Sequence, residues 1–168
     1  TYKDIPGANC FGVIERFADQ PVLAETEVRM AGEAVALVAG AKNVVSTLDL
    51  DDFPVSWTPF AALEDARKAR RKNASQIHMS RMGNQLIAGV VRQGDANSAL
   101  AKAAHVVNGV LCTGHVEHAY IEPEAGVAWM EGDVLNIRAC TQAPVLDQQT
   151  TAKVLGLSLD QVRIRPAA

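Results

Sequence analysis

The chain has 168 residues, 48% of them hydrophobic, which is enough for one domain or two small ones with a buried core. A net charge of −3 excludes a general nucleic-acid binder, which needs surplus Lys and Arg to displace counterions from phosphates. No apolar run approaches the roughly 20 residues that cross a bilayer. Aromatic residues make up only 5%, so any core must come from Ala, Val, Leu and Ile. Cys10, Cys112 and Cys140 are dispersed, odd in number and without a CxxC pair. They suit a reducing compartment better than a disulfide scaffold, and they form no zinc or iron–sulfur motif of their own.

In chain order, residues 2–18 carry Pro6, Gly7, Asn9 and Gly12 and read as loops. Residues 34–39, Ala-Val-Ala-Leu-Val-Ala stopped by Gly40, are expected to form a buried strand. A short helix is expected over 42–48. A strand is expected over 53–57, where Pro54 favours an edge or a strand start. The basic run 67–72 and the polar stretch up to Asn84 read as a linker. The run lacks the interleaved aromatics of a nucleic-acid surface.

Asp95 is a helix N-cap for residues 96–104, because its carboxylate can accept first-turn amide hydrogens. A strand follows over 105–113. Residues 126–130 and 134–140 form a hairpin about Glu131-Gly132-Asp133. Pro144 begins a helix that stops at Gly156. Ser158 and Gln161 match a capping pattern before a last strand, 162–165. The class is α+β in two pieces, 1–80 and 81–168.

The densest polar cluster is His115-Val116-Glu117-His118-Ala119-Tyr120-Ile121-Glu122-Pro123-Glu124. A zinc hydrolase built on His115, Glu117 and His118 is one reading. The helical protease motif, however, spaces its histidines by four, and here they are three apart in a stretch ending at Pro123. The plainer reading is a set of polar residues that orient loops by hydrogen bonds. Glu25, Glu27 and Glu33, like Glu122 and Glu124, are ordinary surface carboxylates on sequence grounds. Gly83, Gly89, Gly94 and Gly109 form no phosphate-binding motif.

Two blocks resemble the large subunit of the xanthine dehydrogenase/aldehyde oxidase family. The first is Asp19-Gln20-Pro21-Val22-Leu23-Ala24 with the run from Val28 to Val38. It resembles the second half of the α/β-hammerhead domain. The second joins Gly94-Asp95, Ala104-His105-Val106-Val107 and Val116-Glu117-His118-Ala119-Tyr120-Ile121-Glu122-Pro123-Glu124. It continues through Thr141-Gln142-Ala143-Pro144 and Val154-Leu155-Gly156-Leu157 to Val162-Arg163-Ile164, and resembles the opening of the molybdopterin-binding domain.

The resemblance implies a hammerhead piece over 1–80 and a partial molybdopterin-binding domain over 81–168. It implies molybdenum-molybdopterin in the intact enzyme and hydroxylation of an aldehyde or N-heterocycle with oxygen from water. Iron–sulfur ([2Fe-2S]) and FAD modules are implied as partners, in the cytoplasm or, in some members, the periplasm. Val116, Glu117 and His118 are the implied cofactor-pocket or supporting residues. No residue here is implied as catalytic or as a metal ligand. Family members often carry Gln at the position of Val116, and valine cannot donate that hydrogen bond. The family's glycine-rich cofactor loop and catalytic glutamate lie further on, so the chain alone is expected to be inactive and to hold no cofactor. The competing reading is a non-catalytic interaction module that keeps the fold.

Overall fold

The computed structural model describes residues 1–167. In chain order its elements are α1 (Lys42–Val45), α2 (Ala66–Ala69), α3 (Ala96–Lys102), β1 (Gly126–Glu131), β2 (Val134–Ala139), α4 (Pro144–Leu155) and β3 (Val162–Pro166). Single 3-10 turns lie at Tyr2–Asp4, Glu15–Phe17, Met82–Asn84 and Leu159–Gln161.

Val127, Trp129, Val134 and Ile137 are strand formers on either side of a tight polar turn, and β1 and β2 pair antiparallel there. Trp129 stands opposite Asn136, and Gly132 takes a φ of 62° in the turn. From β2 the chain crosses through α4 and returns as β3, parallel to β2, with Leu135 beside Val162 and Ile137 beside Ile164. The sheet order is β1-β2-β3. α4 packs on β3, and Val162, only 2% exposed, lies in the core with Leu23, Ala24 and Ala152. Gln148 Nε2 ties helix to strand by donating to the carbonyls of Leu159 (2.9 Å) and Val162 (2.8 Å).

Every helix ends with carbonyls that have no partner in the helix. In α4 the N–H groups of Gly156 and Leu157 bond to Ala152 O, with Gly156 in the left-handed region at φ 66°. The carbonyls of Val154 and Lys153 accept from Gly7 N–H (2.9 Å) and Ala8 N–H (3.0 Å). The start of the chain thus caps α4. Asn9 then closes a loop by bonding both the carbonyl (2.8 Å) and the N–H (3.1 Å) of Leu23, which is buried.

The contacts group the chain into two units, Thr1–Phe53 together with the chain from His118 onward, and Pro54–Glu117. Residue 80, where the sequence places the division, falls inside the second unit. That unit holds α2 and α3, capped by Asp65 (from Arg67 N–H, 2.7 Å) and Asp95 (from Ser98 N–H, 3.1 Å). The stretch read as a linker is stitched by Asn84, whose Nδ2 donates to the carbonyls of Ala69 and Ser75 at 3.0 and 2.9 Å. Its Oδ1 accepts from Ile77 N–H at 2.8 Å. None of the described residues of this unit is fully buried.

The structure is α+β, with the hairpin, α4 and β3 where the sequence places them. The runs 34–39, 53–57 and 105–113 are not strands. An apolar, Val-rich run favours extended backbone, but a strand also needs a neighbour, and these runs join no sheet. Helix α1 stops at Val45 rather than 48. The hydroxyls of Ser46 and Thr47 bond back to the carbonyls of Asn43 (3.4 Å) and Val44 (2.8 Å), which competes with continuation of the helix.

Candidate functional site

The cluster residues Val116, Glu117 and His118 lie on backbone without regular secondary structure, and all three are exposed, Val116 at 86%. Val116 and Glu117 end the second unit, and His118 begins the return to the first. Glu117 and His118 each have an interaction partner. Ala119 follows with φ 52°, in the left-handed region, which costs free energy for any residue with a Cβ. No three His, Cys, Asp or Glu among the described residues converge to hold a metal ion. The zinc reading of His115, Glu117 and His118 therefore has no ligand set here.

Within the first unit the chain after Ala119 enters a cleft of about 580 Å³. Tyr120, Glu122, Glu124, Cys140, Thr141 and Gln142 line it, together with small residues at the start of β1 and the end of β2. The cleft lies at the carboxyl end of β2, where the chain turns into α4. Ligands of α/β crossovers commonly sit outside the carboxyl ends of the strands.

Two latches shape this cleft. On one wall, Cys140 joins the end of β2 to the approach to β1. Its thiol donates to Pro123 O (3.3 Å) and accepts from Ala125 N–H (3.4 Å), and its own N–H donates to Ala125 O (3.3 Å). On the other wall, Thr141 joins β2 to α4. Its hydroxyl donates to the Asp147 carboxylate in a very short bond and accepts from Ala143 N–H at 2.9 Å. This holds the backbone on both sides of Gln142, whose side-chain amide is exposed.

The cleft thus presents two carboxylates, an amide, a hydroxyl and a phenol around small residues. Such a lining suits a polar organic ligand rich in N–H groups, which carboxylates and amide oxygens accept. Glu122 and Glu124 look like surface residues in sequence. The signal that could have marked them is the strand–helix–strand crossover, whose strand ends gather distant segments. Thr141 and Gln142 stood out only as part of a family block.

A small α+β domain with a strand–helix–strand crossover and a polar cleft at its strand ends is the class of protein that this structure defines. The chain belongs to the molybdopterin cofactor-binding domain family, whose model matches residues 77–168. It is 31% identical over 98% of its length to a protein of Bacillus subtilis named as a probable xanthine dehydrogenase subunit, covering 22% of that protein. It is 29% identical over 97% of its length to the nicotinate dehydrogenase large molybdopterin subunit of Eubacterium barkeri, covering 38% of it. Mouse xanthine dehydrogenase/oxidase is 26% identical over 98% of this chain, which covers 12% of that protein. The chain therefore spans well under half the length of these relatives.

Proposed function

We propose that the chain is part of the molybdenum-binding large subunit of a xanthine dehydrogenase/aldehyde oxidase-type enzyme. Such an enzyme hydroxylates an aldehyde or an N-heterocycle with oxygen from water. The observation that carries this reading is the family match over residues 77–168, alongside relatives whose names specify dehydrogenases and a molybdopterin subunit. The start of the match at residue 77 supports a molybdopterin-binding piece beginning near 81; residues 1–80 are proposed as the hammerhead piece on the resemblance of their sequence block.

The cleft residues fit the organic part of the cofactor. A pterin presents amino and ring N–H donors, and Glu122, Glu124 and the Gln142 amide oxygen are acceptors for them. The Thr141–Asp147 and Cys140–Pro123 bonds hold the two walls at fixed positions, so binding orders few side chains. When bound, the molybdenum–pterin group supplies two-electron redox chemistry. This chain's residues bind and orient. Val116, Glu117 and His118 are proposed as cofactor-pocket or supporting residues of the intact enzyme, on the family resemblance of their block. Iron–sulfur and FAD modules are the proposed electron-carrying partners, and the cytoplasm the proposed compartment, in keeping with three free thiols. No helix is long and apolar enough to cross a membrane among the described residues.

The test is expression of the full-length gene with its partner modules. Molybdenum and pterin contents near one per large subunit are expected, with 18O from labelled water in the product. A correctly folded complex without either component sinks the reading. In that complex, His118→Ala lowers cofactor retention about tenfold or more if it supports the pocket. Val116→Gln shifts rate or substrate preference. Unchanged molybdenum content and kinetics in both variants would remove these residues from the site.

A further inference from the structure

Gln142 lines the cleft from a corner of backbone that is tied on both sides. Ala143 N–H donates to Thr141 Oγ1 at 2.9 Å and closes a turn with Gln142 between them. Thr141 in turn donates its hydroxyl proton to the Asp147 carboxylate. The Asp147 N–H donates to Ala143 O at 3.0 Å, the bond by which the N-cap carbonyl opens α4. Asp147 thus closes a ring of three hydrogen bonds around Gln142. Pro144 stiffens this corner, because its ring fixes its own φ and restricts Ala143 before it.

The helix that carries Asp147 is itself anchored. Gln148, the next residue, bonds the carbonyls of Leu159 and Val162, and Ala152 farther along lies in the core. Asp147 is half-buried and does not line the cleft. An acidic residue in a first helical turn is favoured by the helix dipole alone. The bond to Thr141, outside the helix, goes beyond that. A hydroxyl can turn its single proton toward any acceptor in reach, whereas a carboxylate can only accept. Beside Asp147 the Thr141 proton is committed, which leaves the oxygen's lone pairs for Ala143 N–H. A carboxamide at position 147 could donate instead and release that proton.

We propose that Asp147 is a positioning residue of the cleft: through the Thr141 hydroxyl it fixes the backbone from which Gln142 meets the bound ligand. The proposal rests on the reading of this cleft as a cofactor site. It adds a residue outside the cleft that sets how tightly Gln142 holds the cofactor. An amide carried on fixed backbone loses little freedom when it binds, and an amide on loose backbone must be ordered first. Each bond in the ring joins residues of the first unit, and α4 is tied to β3 in that same unit.

The test uses the full-length complex with its partner modules. Molybdenum and pterin contents are followed during dialysis for wild type, Asp147→Asn, Asp147→Ala, Gln142→Ala and each Asp147 variant combined with Gln142→Ala. Cofactor loss is expected to be about tenfold faster in Asp147→Ala and about threefold faster in Asp147→Asn, whose amide oxygen can still accept the Thr141 proton. Asp147→Asn keeps the shape of the side chain and so carries the test if Asp147→Ala does not fold. In the Gln142→Ala background either Asp147 substitution should change the loss rate by less than about twofold, because its effect passes through Gln142. Wild-type retention in both Asp147 variants overturns the proposal. Equal acceleration with and without the Gln142 side chain also overturns it, because that marks a bond that only supports the fold. A folded wild-type complex that never holds molybdenum or pterin overturns the cofactor reading itself, and this proposal with it.

Discussion

Asn136 is 0% exposed in the middle strand of the sheet, and its amide bonds are long, to Glu131 Oε2 at 3.4 Å and Val134 O at 3.3 Å. Its Oδ1 meets no donor among the described residues. An unpaired buried acceptor costs about 1–3 kcal/mol, and Asn is a poor strand former. Asn136→Val should therefore raise stability by about 1 kcal/mol, seen as an upward shift in the melting temperature. A fall of that size would show that the side chain is satisfied in solution. Thr141 is the converse case, with its hydroxyl used as donor and acceptor at once. Thr141→Val keeps the shape, removes both bonds and leaves the Asp147 carboxylate without this donor. It should cost about 1–3 kcal/mol and, in the intact enzyme, weaken cofactor retention more than Thr141→Ser. Equal retention in both variants would detach this latch from the site.

At the scale of elements, α4 depends on residues far from it in sequence. A Cβ on Gly7 would lie 2.2 Å from Lys153 O, so Gly7→Ala must push the N-terminal segment off the helix end. Gly156→Ala meets only ordinary van der Waals contact, with Pro6 O at 3.5 Å, but forces a Cβ into left-handed backbone, costing about 1 kcal/mol. Thermal unfolding of the two variants should rank Gly7→Ala as the more damaging. The reverse order would mean that the N-terminal segment does not cap α4. Helix α3 carries a pH dependence. The side-chain and backbone hydrogen bonds from Ser98 hold the Asp95 carboxyl below the usual carboxylate value. A lowered folded value means that the cap contributes fully above the ordinary Asp range and is lost as pH falls through the lowered value. Helical signal should drop as pH falls below the ordinary Asp value of about 4, and Asp95→Ala should remove that step. An unchanged step in the variant would assign the titration to other groups.

Over the whole molecule, all the fully buried residues described, Leu23, Ala24, Asn136, Ala152 and Val162, belong to the unit that contains the sheet. The Pro54–Glu117 unit has hydrogen-bonded loops and two short capped helices but no buried core. Opening free energy follows buried contacts. Amide exchange in this unit should therefore be fast, and limited proteolysis should cut first in the extended runs 88–93 and 105–117, which expose Val90, Val91, Val107 and Leu111. The stretch 67–84, held by Asn84, should resist longer. First cleavage inside α4 or β3 would contradict this ranking.

Sequence by itself determined the local elements that carry their own punctuation. The hairpin was legible from its Gly132 turn, α4 from Pro144 and Gly156, and α3 from Asp95, because turns and caps are set by residues within a few positions of one another. It also carried the family, through the second of the two blocks, which the family match over residues 77–168 bears out. Tertiary structure alone decided the rest. The pairing of β3 with β2, the capping of α4 by Gly7 and Ala8, and the meeting of Glu122 and Glu124 with Thr141 and Gln142 join residues far apart in the chain. The extended runs 34–39, 53–57 and 105–113 show the same division. Side-chain pattern sets the backbone of such a run, but whether it becomes a strand depends on the neighbour that the fold brings to it.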